Sequence, residues 1–235
     1  MNNKKYNILG IITARGGSKG IPRKNIKKFC GKPLIAYTIL EAKKSKYITD
    51  LIISTEDLEI VRVAKKYGAN VPFLRPKNLA TDKTKHLPVI RHAVSFMEKK
   101  LKTVFDYVVI LQPTSPLRTV EDIDKTIEKI IKTKADSAVS LVEIEENHPI
   151  KIKKLQGNRV LPYCIAEKEG MRRQDLPIAY KRNGSVYVSG RDLIIKKNKL
   201  FGNFIVGIVV PKERSVDIDT PLDWMKAEYL FKHKK

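Results

Sequence analysis

A basic, glycine-rich segment follows directly after the first apolar run of the chain. The run from Ile8 to Ile12 predicts a buried strand, and the segment from Thr13 to Asn25 leaves its end as a loop. Glycines in such a loop let backbone N–H groups approach a ligand closely, and cationic side chains add positive charge. The cations are Arg15, Lys19, Arg23 and Lys24, and the glycines are Gly16, Gly17 and Gly20. This combination predicts a polyphosphate site.

Two well-known phosphate-binding motifs do not fit this loop. A Walker A loop needs Ser or Thr after Gly-Lys, whereas Pro33 follows Gly31-Lys32 and Ile21 follows Gly20. A dinucleotide fingerprint needs G-x-G, which the loop lacks. The alternative to a phosphate site is a solvated basic turn. The position of the loop favours phosphate binding, because α/β sheets bind ligands at the carboxyl ends of their strands.

A pair of carboxylates near the C-terminus is the second candidate for chemistry. Asp217 and Asp219 flank one residue of an extended segment, so their side chains point to one face and can hold a hard cation together. With the basic loop, the pair predicts Mg²⁺-dependent phosphoryl or nucleotidyl transfer, because the metal and the cations neutralise charge as the phosphate bond breaks. The alternative is that Asp219 only stabilises the positive end of the next helix and Asp217 is a surface residue.

The elements that must position these groups alternate between helix and strand. Apolar spacing predicts a helix from about Pro33 to Ser45, a strand over 51–54, and a second helix, which Ser54 or Thr55 can cap. The predicted apolar face of that second helix contains Leu58, Ile60, Val61, Ala64 and Tyr67. This order implies a mostly parallel sheet with right-handed crossovers. Further predicted elements are a helix over 87–100, a strand over 106–111, a helix over 121–131, and strands over 137–144, 184–189 and 204–210.

The strand over 106–111 should deliver Gln112 to the same edge of the sheet as the basic loop. Pro113 and Pro116 forbid the strand from continuing, so Gln112 is left at its carboxyl end.

The pattern changes between about residues 145 and 182. Short alternating pieces, a Gly157-Asn158 turn and several prolines predict an inserted β-rich arm. Beyond it, Thr220 as cap and Pro221 at the first helical position predict a terminal helix that continues to about Leu230. We therefore expect one α/β domain over residues 1–235 with a single inserted arm.

Composition limits the class of protein. No stretch reaches the roughly 20 apolar residues of a membrane span, and we expect a cytoplasmic protein. The net charge of +22 allows a nucleic-acid partner or an anionic substrate, but the lysines are spread over the chain without a nucleic-acid motif, so a solvated lysine-rich surface is favoured. Cys30 and Cys164 indicate neither a zinc site nor a disulfide framework. The histidines, which we expect to be structural, are His86, His92, His148 and His233.

Six sets of residues occur in the order found in one known family, the acylneuraminate cytidylyltransferases, also called CMP-sialic acid synthetases. Each set is weak alone, but together they run from the first strand to the last helix. They are Arg15–Gly20 with Lys24-Asn25, Arg75-Pro76 with Leu79–Asp82, Leu111–Arg118, Arg173–Pro177, Asn183-Gly184 and Asp217–Thr220.

The resemblance implies a fold and a reaction. CTP and a nine-carbon 2-keto sugar acid would give a CMP-sugar and pyrophosphate, with Mg²⁺ as cofactor. The implied fold is a Rossmann-like nucleotidyltransferase, a mostly parallel sheet flanked by helices, and the inserted arm would form a homodimer.

The resemblance also implies residue roles. Arg15 and Lys19 look like residues that counter charge on the α-phosphate, and Gln112 resembles the family's sugar-orienting glutamine. Asn25 and Arg75 resemble the residues that read cytosine and its ribose neighbourhood, which fits the donors that an amide and a guanidinium offer. The other implied residues are Gly17, Ser18 and Lys24 for the nucleotide, Arg173 and Lys181 for the sugar acid, and Asp217 with Asp219 for the metal.

One departure concerns the sugar. Sialic acid enzymes often carry a second arginine before Pro-Asn-Gly, whereas this chain reads Lys181-Arg182-Asn183-Gly184, and a lysine does not replace a forked donor. The stretch from Leu79 to Ala93 looks more like the branch that acts on legionaminic acid. Two alternatives stay open: a related sugar nucleotidyltransferase that uses another base or a shorter keto acid, and a non-catalytic basic protein that binds nucleic acid.

Overall fold

The computed structural model describes residues 6–18, 20–144, 147–167, 170 and 172–233, with the side chain of Arg173 also left out. Lys19, which the resemblance implied in catalysis, lies outside these residues. The strands are β1 (Ile8–Thr13), β2 (Lys28–Phe29), β3 (Lys32–Pro33), β4 (Asp50–Ser54), β5 (Tyr107–Leu111), β6 (Ser137–Ile144), β7 (Lys153–Gln156), β8 (Arg159–Pro162), β9 (Ala179–Gly190) and β10 (Ile205–Val209). The α-helices are α1 (Leu34–Ala42), α2 (Leu58–Lys66), α3 (His86–Leu101), α4 (Val120–Thr133), α5 (Arg191–Ile195) and α6 (Pro221–Lys232).

Six of these strands form one mixed sheet in the order β10-β6-β9-β5-β1-β4. The pairs β1–β4, β1–β5 and β6–β10 are parallel, as the alternation of strands and helices predicted. Strand β9 is antiparallel to both of its neighbours, β5 and β6. Because β9 runs the other way, its first core residues lie at the edge where β1 and β5 end.

Helices cover both faces of the sheet. Strand β1 alternates accordingly: Ile8 and Ile12 pack with α1, α2 and α4, whereas Leu9 and Ile11 pack with α3 and α5. Both faces of this central strand are therefore buried, which explains its continuous apolar sequence.

The terminal helix covers a smaller third cluster. Trp224 and Ala227 of α6 pack with Phe29 of the β2–β3 hairpin and with Leu34 of α1. Helix α6 begins as predicted, with Thr220 as cap, Pro221 in its first turn and a reciprocal bond between Thr220 and Asp223. The segment that carries Asp217 and Asp219 is thus attached to the core at three places. Val216 precedes the pair, Ile218 lies between the two aspartates, and α6 follows them.

The predicted cap of α2 was wrong. Asp57, and not Ser54 or Thr55, accepts hydrogen bonds from two backbone N–H groups of the first turn. Ser54 belongs to β4, and the side chain of Leu58, which was predicted on the apolar face, is exposed. The buried residues of α2 are Ile60 and Ala64, both of which were predicted on that face.

The predicted arm contains a two-stranded antiparallel ribbon, β7 and β8, joined by the Gly157-Asn158 turn. Residues 179–182, which the sequence analysis assigned to the arm, instead begin β9 and pair with β6 in the main sheet. None of the described helices is long and apolar enough to cross a membrane.

Candidate active site

Two acidic residues hold the loop after β1 against the start of α2. The Gly16 N–H donates to Glu56 Oε1 at 2.7 Å. A Cβ atom at Gly16 would lie 2.3 Å from Asp57 Oδ2, so this approach requires glycine. Asp57 cannot easily move away, because it also caps α2. The loop conformation therefore depends on the residues that follow β4.

Arg23 belongs to this anchor. Its guanidinium binds both carboxylate oxygens of Asp57 and also Glu59. The hydrogen bond to Asp57 is the main reason why the pKa of Arg23 is raised. Arg23 also has a left-handed backbone, with φ of 54°, at the turn into the short helix Lys24–Ile26. We conclude that Arg23 positions the loop.

A cavity of about 580 Å³ opens above this loop at the carboxyl edge of the sheet. Its wall includes residues from the ends of β1 and β5, the basic loop, the segment 75–86 and the carboxylate of the C-terminal pair. The lining residues include Thr13, Arg15, Ser18, Gly20, Lys24, Asn25, Arg75, His86, Gln112 and Asp219. The structure thus brings together groups from four separate parts of the sequence, namely residues 13–25, 75–89, 112–114 and 219.

The described cations of the loop that line the cavity are paired with acids across it. Arg15 Nη1 lies 2.9 Å from Asp82 Oδ1, with both side chains well exposed. Lys24 Nζ donates to the Ile218 carbonyl at 2.6 Å and to Asp219 Oδ1 at 2.9 Å. The exposed Arg15–Asp82 pair contributes little stability, so an anionic ligand can replace it at small cost. The side chain of Lys24 is only 12% exposed, so its pair with Asp219 is not of this kind.

The three glycines of the loop differ in their surroundings. A Cβ atom at Gly20 would lie 2.3 Å from the Asp219 carbonyl oxygen, so Gly20 lets the loop approach the carboxylate pair. Gly17 is exposed with open space around it, and it is not part of the cavity wall. Its predicted role in nucleotide binding stays a prediction.

Asn25 and Arg75, expected near the base, lie at one end of the cavity and are both buried. Asn25 Nδ2 donates to the Arg15 carbonyl at 2.9 Å, which fixes its amide. Arg75 donates to the Ala14 carbonyl at 3.1 Å and forms an ion pair with Glu56, while its Nε has no hydrogen-bond partner. Glu56 therefore holds both the loop and Arg75.

His86 also lines this end of the cavity. Its Nε2 lies 3.1 Å from Thr13 Oγ1. Burial, and then the charge of Arg75, lower the pKa of His86, which favours the neutral imidazole at neutral pH.

Gln112 stands at the carboxyl end of β5, as predicted. Its backbone carbonyl accepts from Arg118 Nη1 at 3.2 Å, and its side chain lines the cavity. Arg118 is fully buried, and burial lowers its pKa to about 10. The guanidinium still carries its charge at neutral pH.

The two aspartates of the C-terminal pair occupy different environments. Asp219 is exposed beside Lys24, whereas Asp217 is half-buried. Burial is the main cause that raises the pKa of Asp217, and the negative charge of Asp219 raises it further. A Cβ atom on Gly184 would lie 3.1 Å from Asp217 Oδ2 and 3.8 Å from Gln112 Oε1. Asp217 and Gln112 thus both lie next to Gly184.

The surroundings of this pair fit a divalent cation. Asp217 Oδ1 is buried without a hydrogen-bond partner, and two neighbouring carboxylates repel each other unless a cation lies near them. Within the described residues no group of three metal-ligating side chains occurs. Mg²⁺ commonly uses one or two carboxylates together with substrate phosphates and water.

A second cavity of about 390 Å³ lies on the other side of Asp217. Lys181, expected at the sugar acid, is in its wall, and Asn183 and Asp223 also line it. Three further cations surround this cavity, namely Arg182, Lys212 and Lys226. Because Asp219 lines the first cavity and Asp217 the second, the carboxylate pair marks the boundary between the two. The side chain of Arg173 is outside the described part of the chain.

Sequence reasoning missed several residues that shape the site. Glu56 and Asp57 come directly after a buried strand, so their position at a strand end was a usable signal. Arg118 was noted only as part of a motif, and Asn183 bonds to Ser140 and Ser215, which are distant in sequence. No local pattern indicates those two contacts.

Comparison with known proteins identifies the family of this chain. A family model described as Cytidylyltransferase matches residues 9–216. The chain is 37% identical over 229 residues to a CMP-N,N'-diacetyllegionaminic acid synthase of Campylobacter jejuni, with 97% of this chain and 96% of the relative covered. It is 35% identical over 225 residues to a pseudaminic acid cytidylyltransferase of the same species, with 95% and 96% covered.

A solved structure has a similar fold at low identity. It is a CMP:2-keto-3-deoxy-manno-octonic acid synthetase complexed with CTP, which matches with a TM-score of 0.74 and 17% identity over 97% of this chain and 100% of that one. This likeness concerns the mixed six-stranded sheet with its flanking helices. The family match and the relatives above 30% identity over almost the whole chain show that this protein belongs to the cytidylyltransferase family, as a sugar acid nucleotidyltransferase of the acylneuraminate cytidylyltransferase type.

Proposed function

We propose that the protein transfers a cytidylyl group from CTP to a nine-carbon 2-keto sugar acid of the legionaminic acid type. The observation that carries this proposal is the first cavity, where Arg15, Ser18 and Lys24 surround a space large enough for a nucleotide. Asp219 and Gln112 lie in the same wall, next to the second cavity, whose lining contains four cations and three carboxylates.

The reaction consists of one displacement at phosphorus. The anomeric hydroxyl of the sugar acid loses its proton as its oxygen attacks the α-phosphorus, and the bond between that phosphorus and the pyrophosphate oxygen breaks. Arg15 and Lys24 offer positive charge to the phosphates, which matters because charge is redistributed over their oxygens as the bond breaks. Lys19 would act with them.

Each end of the proposed reaction centre has its own set of residues. Asn25 and Arg75 are suited to the base, since together they can satisfy carbonyl and ring-nitrogen acceptors. Lys181 and Arg173 are suited to the sugar carboxylate, and Gln112 to the hydroxyls of the sugar. Bound Mg²⁺ would be held by Asp217 and Asp219, and it would neutralise phosphate charge.

Legionaminic acid is our choice among the nine-carbon acids. It is supported by the residues from Leu79 to Ala93 and by the Campylobacter jejuni relative named for that sugar. Because a relative named for pseudaminic acid is almost as similar, the substrate must be tested directly.

Pyrophosphate release measured with each of the four nucleoside triphosphates against a panel of keto acids tests the base and the sugar together. The panel contains legionaminic, pseudaminic and N-acetylneuraminic acids and an eight-carbon 3-deoxy acid, and each reaction has a control without sugar acid. We expect release only with CTP, and fastest with legionaminic acid. Preference for another triphosphate or for the eight-carbon acid would overturn the proposal.

A homodimer through the arm is part of the proposed function. The arm exposes Leu155, Val160, Tyr163 and Ile178, each at least 65% accessible. An isolated two-stranded ribbon with exposed apolar side chains is marginal in water, so a second copy would stabilise it. Light scattering at micromolar concentration should give the mass of two chains, and a monomer would contradict this part.

A further inference from the structure

One arginine lies buried beneath the boundary between the two cavities. The side chain of Arg118, which follows β5 in the sequence, has 2% exposure. Its Nη1 donates to the Ser185 carbonyl at 2.7 Å and to the Gln112 carbonyl at 3.2 Å, and its Nη2 donates to Thr38 Oγ1 at 2.6 Å. A single guanidinium therefore joins the end of β5, the middle of β9 and helix α1.

Among the described residues, the guanidinium of Arg118 has no direct carboxylate contact, although the negative charges of Asp122 and Glu41 lie close enough to raise its pKa against the lowering that burial causes. No ion pair joins Arg118 to a carboxylate within the described part of the chain, and its bonds end on two carbonyl oxygens and one hydroxyl. Burying a cation without a direct carboxylate contact is costly, and an apolar side chain of similar size would normally serve the core as well. The three hydrogen bonds of Arg118, each to a different element, point to a role in holding those elements in place.

The three acceptors of Arg118 support groups that line the site. Thr38 Oγ1 donates to the same Gln112 carbonyl at 3.4 Å, so the backbone of Gln112 is held from two directions. Ser185 directly follows Gly184, and Gln112 Oε1 and the Asp217 carboxylate both lie next to Gly184. Movement of either carbonyl would change the spacing of Gln112 and Asp217.

We propose that Arg118 is a positioning residue that sets the place of Gln112 relative to Gly184 and Asp217 at the boundary of the two cavities. This inference rests on the proposed function, in which Gln112 orients the sugar acid beside the α-phosphate of CTP. Arg118 touches neither substrate. Its contribution is to the alignment of two reactants, to which displacement reactions are sensitive.

The substitution Thr38→Val tests this role with little change in volume. It removes the hydroxyl that Arg118 Nη2 requires, whereas Thr38→Ser keeps that hydroxyl. Thr126→Val is the matched control, because Thr126 is also buried on a helix and its hydroxyl donates only to the Asp122 carbonyl of its own helix. Arg118→Lys completes the set, since an ammonium keeps the charge but lacks the fork.

We expect Thr38→Val to lower kcat/KM for the sugar acid about tenfold, the usual effect of one hydrogen bond to a charged group. Arg118→Lys should lower it by up to about 10²-fold, because a misplacement of about 1 Å can cost that much. KM for CTP should stay unchanged, and Thr38→Ser and Thr126→Val should behave like the wild type. Equal losses in Thr38→Val and Thr126→Val would overturn the proposal.

A second set of measurements asks whether the effect passes through Gln112. In a Gln112→Ala background, Thr38→Val should cause no further loss, because the residue it positions is gone. The same tenfold loss in both backgrounds would contradict positioning of Gln112.

The NMR signals of the Gln112 side-chain amide give a test that needs no activity. Assigned by their loss in Gln112→Ala, they should shift or broaden in Thr38→Val and return in Thr38→Ser. Unchanged signals would overturn the positioning role. Absence of pyrophosphate release from the wild type with every substrate pair would instead overturn the proposed function, so the two failures are distinguishable.

Discussion

The polar groups at the two ends of the parallel strands differ in their hydrogen bonding. The amino edge is where these strands begin, and the carboxyl edge is where they end. At the amino edge, Arg191 and Glu98 form a two-pronged ion pair at 2.8 and 2.9 Å, and Asp136 accepts from two backbone N–H groups. At the carboxyl edge, several buried polar atoms have no hydrogen-bond partner, namely Arg75 Nε, Ser115 Oγ, Arg118 Nε, Ser185 Oγ and Asp217 Oδ1.

This difference assigns the amino edge mainly to stability and the carboxyl edge mainly to function. Buried polar atoms are normally satisfied, because each unsatisfied one costs free energy. The amino edge follows that rule and has ion pairs that a ligand could not easily displace. The carboxyl edge carries unsatisfied atoms and exposed, exchangeable pairs such as Arg15–Asp82. Substitutions at the carboxyl edge should therefore affect turnover, and those at the amino edge should affect folding.

The largest difference is expected for Arg15→Ala. It removes a cation from the phosphate site but only an exposed ion pair from the fold, so turnover should fall about 10²- to 10³-fold while stability changes by less than about 1 kcal/mol. Arg91→Ala is the control, since Arg91 is exposed and bonds to Asn198 outside the cavity. Steady-state kinetics and a thermal melt on both variants check this, and near-normal turnover of Arg15→Ala would remove it from the phosphate site.

The second-largest effect is expected when two ion pairs are compared, one at the carboxyl edge and one at the amino edge. Glu56→Gln and Glu98→Gln both remove the negative partner of a mostly buried arginine, so both should lower the melting temperature. Only Glu56→Gln should raise KM for CTP, by about 10- to 10²-fold, because Glu56 also holds the Gly16 N–H and Arg75. Equal KM values for CTP in the two variants would contradict the assignment of ligand binding to the carboxyl edge.

Glycine substitutions in the loop give a smaller effect. Alanine at position 16 would collide with Asp57, which is fixed as a helix cap, whereas position 17 faces open space. We expect Gly16→Ala to lower kcat/KM for CTP about tenfold, since overpacking commonly costs 1–3 kcal/mol, and Gly17→Ala to retain it. Isothermal titration calorimetry with CTP should show a corresponding increase in the Kd of Gly16→Ala. A loss in Gly17→Ala equal to that in Gly16→Ala would show that its N–H or its flexibility serves the ligand.

The smallest effects should come from Asp217→Asn, and they depend on pH and metal. The raised pKa of Asp217 means that the folded state binds its proton more tightly. In EDTA, the stabilising contribution is complete below the usual aspartate pKa and is lost as the pH rises through the raised value. Asp217→Asn should therefore melt higher than the wild type at neutral pH, and the two should converge in acid.

Mg²⁺ provides the complementary measurement. It should raise the melting temperature of the wild type and have little effect on Asp217→Asn, and the variant should need several-fold more Mg²⁺ for half-maximal activity. Asp219→Asn should share the higher Mg²⁺ requirement. If Asp219 acted only through the positive end of α6, its replacement would cost roughly 0.3 to 1 kcal/mol and leave the Mg²⁺ requirement unchanged.

Local signals in the sequence determined much of this protein. Apolar periodicity predicted the parallel strands and most helices, and two prolines after β5 placed Gln112 at the carboxyl edge beside the loop of Arg15 and Lys24. The cap at Thr220 predicted the start of α6. These predictions succeeded because each rests on neighbours within a few residues, where the backbone and side chains constrain one another directly.

Tertiary structure alone decided how the site is held together. Strand β9 enters antiparallel between β5 and β6, and this pairing brings Ser185 to Arg118 and Gly184 next to both Gln112 and Asp217. It also assigns Arg23, one of four similar cations in the sequence, to a structural role. Periodicity reports which face of a strand is buried but not which strand pairs with it, so contacts between residues 30 to 100 positions apart are set only when the sheet is assembled.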